Sequence, residues 1–220
     1  MKRVAINGMG RIGRLAFRGL LESAGIEVVA VNEKESLETV AYLLSHDGEH
    51  APWSGRVSFQ GKEEGELVME DGRRVRAYRR EDASSLPWGE MGVDLVLECT
   101  GAYTSKAKAQ AHLDAGAQRV LVSAAAGDDV PTIVYGINEE TAGEDAIVSG
   151  ASCSTVGLAP MAKAINDFAP IESGIATTIH ALVTRSGFTA SDLNAAMKEA
   201  SNALFGYTEE QLVSQDAANM

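Results

Sequence analysis

The stretch Gly8-Met9-Gly10-Arg11-Ile12-Gly13 restricts most sharply what this chain can fold into. Residues 2–7 (KRVAIN) precede it and read as a buried strand. Residues 11–23 follow, with Ile12, Leu15, Ala16, Gly19 and Leu20 at helical spacing. The pattern G-x-G-x-x-G between a strand and a helix is the fingerprint of a dinucleotide-binding βαβ unit. Gly8 permits the tight turn, Gly10 lets backbone approach a pyrophosphate, and Gly13 lets the helix pack closely on the strand. The helix N-terminus at Arg11 and Ile12 then offers N–H groups and a positive dipole end to phosphate. Glu33 lies about twenty positions past Gly13, after a second strand at residues 27–31 (EVVAV). A carboxylate there accepts hydrogen bonds from both ribose hydroxyls and repels a 2′-phosphate. The expected cofactor is therefore NAD rather than NADP, although the adjacent Lys34 pulls the other way.

The remaining pattern extends the same architecture. Residues 37–44 read as a helix, and residues 57–78 as alternating strands broken at Gly61, Gly65 and Asp71-Gly72, the last a hairpin signal. Strands are expected at 94–97, 119–122, 132–135 and 146–149, with a helix at 106–115. Alternating strands and helices predict an α/β fold, a Rossmann-type doubly wound parallel sheet over residues 1–151. After Gly150 the pattern changes. A long helix at 155–168 contains Pro160, a strand is expected at 173–183, and an amphipathic helix at 190–204 carries Leu193, Met197 and Ala200 on one face. Residues 152–220 are thus expected to form a second, smaller α+β domain.

Composition narrows the partners. The net charge is −12, and the basic stretch Arg73, Arg74, Arg76, Arg79 and Arg80 has acidic residues on both sides, so nucleic acid is not expected. No apolar run approaches a membrane span, and the N-terminus lacks an apolar signal region, which points to the cytoplasm. Cys99 and Cys153 are the two cysteines; they make no disulfide framework and have no metal-ligand spacing.

Chemistry concentrates at Ser152-Cys153-Ser154-Thr155, just before a helix. A helix N-terminus favours a thiolate. His180, in Thr177-Thr178-Ile179-His180, is of the type that serves a thiol as base. From spacing alone, an unreactive cysteine and a structural histidine remain open as the plainer readings. Cys99 reads as packing on a buried strand.

Taken together, these motifs resemble one family. Residues 4–14 (VAINGMGRIGR), Glu98-Cys99-Thr100-Gly101, Val134-Tyr135-Gly136-Ile137-Asn138, residues 149–155 (SGASCST) and residues 177–181 (TTIHA) are similar to segments of glyceraldehyde-3-phosphate dehydrogenases. The resemblance runs nearly continuously to Ala181 and resumes over residues 188–216. It implies that Cys153 is the nucleophile, His180 its acid–base partner, and inorganic phosphate and a small phosphorylated aldehyde the substrates, in a glycolytic reaction that yields an acyl phosphate. It further implies that Arg11 and Ile12 hold the pyrophosphate, that Glu33 holds the ribose, and that Arg80, Thr100, Gly101 and Ser123 line the cofactor. Ser152 and Ser154 match residues near the incoming phosphate, with serine at 154 where threonine is usual.

The departures are as specific as the matches. Gly150 and Val156 stand where the family has asparagine, and Gly157 where it has a second cysteine. Past Ala181 the chain passes into Leu182–Phe188, which resembles a much later family stretch. The skipped segment carries a subunit-contact loop and two substrate-phosphate ligands in a family that is usually homotetrameric. The closing family segment is also missing after Met220, so the resemblance implies that the α+β domain at residues 152–220 is truncated. Two alternatives stand beside the main reading. One is an erythrose-4-phosphate dehydrogenase, suggested by Asn32-Glu33 and Leu86-Pro87-Trp88. The other is a catalytically silent NAD-binding fragment.

Overall fold

The computed structural model describes residues 1–46 and 55–179. The chain divides into two compact units, Met1–Ile171 and Glu172–Met220. The first is built on one eight-stranded sheet. Its strands are β1 (Lys2–Asn7), β2 (Ile26–Asn32), β3 (Val57–Gly61), β4 (Gly65–Met69), β5 (Arg74–Tyr78), β6 (Leu95–Glu98), β7 (Arg119–Val122) and β8 (Ile147–Ser149). The order across the sheet is β3-β4-β5-β2-β1-β6-β7-β8. The six strands from β5 to β8 are parallel, and β3 and β4 add an antiparallel edge. The helices are α1 (Arg11–Leu21), α2 (Leu37–Ser45), α3 (Lys106–Asp114) and α4 (Cys153–Phe168).

Both faces of the sheet are covered, as a parallel sheet requires. On one side Ile6, Val28 and Val31 pack with Phe17 of α1, with Leu37, Val40 and Leu44 of α2, and with Leu67 and Val75 of the hairpin. On the other, Ala5, Val29, Ala30 and Val96 pack with Trp88, Leu86 and Val93. The alternation of Ala5 and Ile6 between the two clusters is the period of a strand made visible. Trp88 and Phe17 are fully buried.

The hairpin at Asp71-Gly72 forms as expected: Gly72 has φ +86°, and the Arg73 N–H donates to Asp71 Oδ1 at 3.0 Å. The arginines of this region pair locally, Arg73 with Asp71, Arg74 with Glu66 and Arg80 with Glu64.

Three expectations are corrected. The buried face of α1 is rotated from the one its apolar spacing suggests, although Leu20 still packs against the core. Gly13 and Phe17 are buried, whereas Ile12 and Gly19 are exposed. Gly13 sets the rotation, because it abuts the Gly8 carbonyl and Phe17 lies one turn further along the same side. Residues 132–135 form no strand, only a single bridge from Thr132 to Ser149. The side chain of Asn138 accepts the Val134 N–H at 2.7 Å, and Gly136 at φ +79° turns the chain away before a ladder can grow. Residues 173–179, the described part of the strand expected at 173–183, are likewise irregular. Ile175 and Ile179 there are 99% and 96% exposed, so the alternation has no packed surface to face. The helix expected at 190–204 lies outside the described residues.

Candidate functional site: the carboxyl edge of the sheet

Nearly every candidate residue within the first unit follows the carboxyl end of a parallel strand. Gly8 follows β1, Glu33 follows β2, Arg80 lies just past β5, Thr100 and Gly101 just past β6, Ser123 follows β7, and Ser152 and Cys153 lie just past β8. Ligands of open α/β sheets bind at this edge, where the strand order reverses direction. Here that point lies between β1 and β6, since the chain leaves β1 towards β2 and later returns to the other side of β1 as β6.

The three glycines of the loop behave differently. Gly8 has φ +95°, and a Cβ there would come within 2.8 Å of Thr100 Cγ2 and of the Cys99 carbonyl carbon. A Cβ on Gly13 would collide with the Gly8 carbonyl oxygen. Around Gly10 nothing lies within 4 Å of where a Cβ would sit. Gly8 and Gly13 are therefore required by the fold itself. Gly10 opens onto a space that a side chain would fill. The same residue is the N-cap of α1, with no side-chain cap, and the first turn holds no acidic residue. The N-terminal N–H groups of α1, beginning at Arg11 and Ile12, thus have no side chain capping them from residue 10. This arrangement fits a dinucleotide pyrophosphate.

Glu33 is drawn into the loop. One carboxylate oxygen accepts the Met9 N–H at 2.6 Å, and the other accepts the Lys34 N–H at 2.7 Å. Its carboxylate is thereby held beside the glycine turn, where a ribose would lie. Arg80 is engaged on every side. Its backbone N–H donates to Asn32 Oδ1 at 2.8 Å, and its guanidinium pairs with Glu64 at 2.9 Å, donates to the Ser85 carbonyl and lies 5.1 Å over the Tyr78 ring. Thr100 donates its N–H and hydroxyl to Glu98 Oε1, and its hydroxyl accepts the Ala102 N–H at 3.0 Å. Gly101 follows at φ +74°. Ser123 follows β7, and burial pushes the nearby Cys99 thiol upward.

The nucleophile candidate Cys153 is the first residue of α4 and is exposed. Ser152 caps the helix, its hydroxyl accepting the Thr155 N–H at 3.2 Å and lying 3.0 Å from the Ser154 hydroxyl. Immediately before Ser152 the backbone bends sharply at Ala151, the one described non-glycine residue at positive φ, +67°. The bend is held by buried Ser149, whose hydroxyl accepts the Ala151 N–H at 3.1 Å and donates to the Ala124 carbonyl at 2.7 Å. The start of α4 is thereby tied to the turn after Ser123. The helix has no buried residue: Val156, Met161, Ile165 and Phe168 are all exposed. His180 lies outside the described residues.

Asn7, Asn32, Glu98, His112 and Ser149 are buried polar residues to which the sequence alone assigns no role. A readable signal existed. Three apolar strands, VAIN, VVAVN and LVLE, each end in a polar residue.

Residues 2–106 match the family model for the glyceraldehyde 3-phosphate dehydrogenase NAD binding domain, and residues 152–189 match that for the C-terminal domain. A glyceraldehyde-3-phosphate dehydrogenase of Clostridium pasteurianum is 37% identical over 288 positions, spanning all of this chain and 85% of the relative. One of Lactobacillus delbrueckii subsp. bulgaricus is 51% identical over 185 residues, covering 81% of this chain and 54% of the relative. The 288 positions of the first alignment exceed the 220 residues of this chain, so the relative carries residues with no counterpart here.

Proposed function

The chain belongs to the glyceraldehyde-3-phosphate dehydrogenase family, with NAD as its cofactor, and from that premise we propose that it catalyses the phosphorylating oxidation of glyceraldehyde 3-phosphate. The observation that carries the proposal is the continuous carboxyl edge. There the glycine loop, the Thr100-Gly101 turn, the turn after Ser123 and the Cys153 helix start follow one another along adjacent strands.

In this reading residues 1–151 bind the dinucleotide and residues 152–220 supply the chemistry. Gly8, Gly10 and Gly13 shape the loop, Arg11 and Ile12 present the start of α1 to the pyrophosphate, and Glu33 takes the adenosine ribose. Arg80, Thr100, Gly101 and Ser123 line the remaining length. Bound NAD supplies the hydride acceptor. The Cys153 thiolate adds to the aldehyde carbon while protonated His180 gives its proton to the carbonyl oxygen; His180 then takes that proton back from the thiohemiacetal hydroxyl as hydride leaves the carbon for the bound acceptor. The acyl group is then a thioester on Sγ. Ser152 and Ser154 place inorganic phosphate, whose oxygen attacks the acyl carbon, and the thiolate departs. The product is an acyl phosphate. Such a reaction belongs to glycolysis, and we place it in the cytoplasm.

The stretch of the relative without counterpart here favours a second reading, an NAD-binding module without turnover. One assay separates the two. Purified protein is mixed with NAD, glyceraldehyde 3-phosphate and phosphate, and NADH absorbance is followed. Formation of NADH that disappears in Cys153→Ala supports the dehydrogenase. NAD binding with no NADH from a cooperatively folded sample supports the silent module. Erythrose 4-phosphate in a parallel cuvette tests the sister activity.

A further inference from the structure

Beneath the glycine loop lies a buried polar network that the catalytic scheme does not use. Its hub is Glu98, the last residue of β6, which is 1% exposed. Glu98 Oε2 accepts from Asn7 Nδ2 at 2.6 Å and from His112 Nε2 at 2.9 Å. Oε1 accepts from the Thr100 N–H at 2.7 Å and from the Thr100 hydroxyl. Trp88 Nε1 donates to His112 Nδ1 at 3.2 Å, which leaves Nε2 as the protonated nitrogen of a neutral ring. From Asn7 the network continues sideways. Asn32 Nδ2 donates to Asn7 Oδ1 at 2.8 Å, and Asn32 Oδ1 accepts the Arg80 N–H at 2.8 Å. Burial works against the Glu98 carboxylate, but the bonds from His112, Thr100 and Asn7 outweigh it and hold the group below its ordinary pKa.

The network joins the carboxyl ends of β5, β2, β1 and β6, four neighbours in the sheet. Those ends carry Arg80, Glu33, the glycine loop and the Thr100-Gly101 turn. Thr100, held by Glu98, is also the residue against which Gly8 packs.

We propose that Glu98 and His112 are positioning residues for the dinucleotide site: His112 fixes the Glu98 carboxylate, and Glu98 fixes the Thr100 turn and Asn7 so that the glycine loop is preformed for a pyrophosphate. The inference rests on the assignment of NAD to this edge. His112→Gln keeps a donor for Glu98 and an acceptor for Trp88 in its amide head. Leucine fills the volume and provides neither.

The test measures NAD dissociation constants and urea unfolding midpoints on the full chain for the unsubstituted protein, His112→Gln, His112→Leu, Glu98→Gln and Val75→Ala. Val75 is a buried β5 residue outside the network and reports the effect of lost stability alone. The expected result is weaker NAD binding by about tenfold or more in His112→Leu and Glu98→Gln, the loss that accompanies a broken hydrogen bond to a charged group. His112→Gln and Val75→Ala should stay within about twofold of the parent, well inside one such bond. Equal affinity in His112→Gln and His112→Leu, or equal weakening in Val75→Ala, would overturn the inference. If Glu98→Gln fails to fold, the histidine pair alone decides. Absence of NAD binding by the unsubstituted chain would overturn the cofactor assignment, and this inference with it.

Discussion

The Gly8 loop and the start of α4 are both turns from a parallel strand into a helix at one sheet edge, yet they are held in different ways. Around Gly8 the chain is fixed from below by Glu98 and Asn7, from the side by Thr100, and from behind by Gly13. Its helix buries Phe17 in the core. At Cys153 the turn is fixed by local bonds of Ser149 and Ser152, and the helix that follows buries nothing. A dinucleotide loop is finished by its own sheet. A nucleophile of this kind needs its acid–base partner and substrate ligands from other parts of a chain, and those parts cannot be supplied by β8 and α4 alone.

The largest expected contrast comes from truncating one aromatic in each helix. Phe17→Ala should lower unfolding stability by about 3–5 kcal/mol, as a large cavity does. Phe168→Ala, at a side chain 92% exposed, should stay within about 0.5 kcal/mol. Urea midpoints decide, and comparable losses would mean that the α4 face is covered. A sharper contrast lies within the loop. Gly13→Ala should cost about 1–3 kcal/mol through overpacking against the Gly8 carbonyl. Gly10→Ala should leave the midpoint nearly unchanged while weakening NAD binding in a fluorescence titration. A folded Gly10→Ala that binds NAD as the parent does would break the reading of that open space.

The smaller effects probe the two sets of tethers. Ser152→Ala should cost about 1 kcal/mol by loss of the α4 cap. Helix content measured by circular dichroism should show whether that loss remains local. The Glu98 carboxyl is held below its ordinary value of 4.5, so its contribution to stability is fully present above that pH and is lost as pH falls through the folded pKa. The stability gap between the parent and Glu98→Gln should accordingly narrow on acidification. A gap that widened would contradict the sign.

The same contrast governs what could be read from the amino acids. The glycine loop was legible because each of its residues answers to a local requirement of a strand–turn–helix, and the hairpin at Asp71-Gly72 for the same reason. The rotation of α1 was not, because Gly13 contributes no hydrophobicity and yet sets which face is inward. Residues 132–135 look like a strand until the Asn138 side chain is seen taking the Val134 N–H. The network around Glu98 escaped notice because polar residues at strand ends usually begin loops. Only the sheet order brings Asn7 and Glu98, 91 positions apart, to one hydrogen bond. His180 was suggested by its residue type and assigned a role by resemblance, and it lies outside the described residues.

That separation of 91 positions has a consequence for the order of events when the protein is made. The carboxylate beneath the glycine loop has its full set of partners only once His112 has been synthesised and α3 has docked. Until then β1, α1 and β2 form a βαβ unit whose loop lacks its floor. Long-range closures of this kind come late, because the intervening chain must first be ordered. If Glu98 preforms the loop as proposed, cofactor capture is expected to follow closure of the β1–β6 pair, with NAD latching a finished sheet rather than templating its assembly.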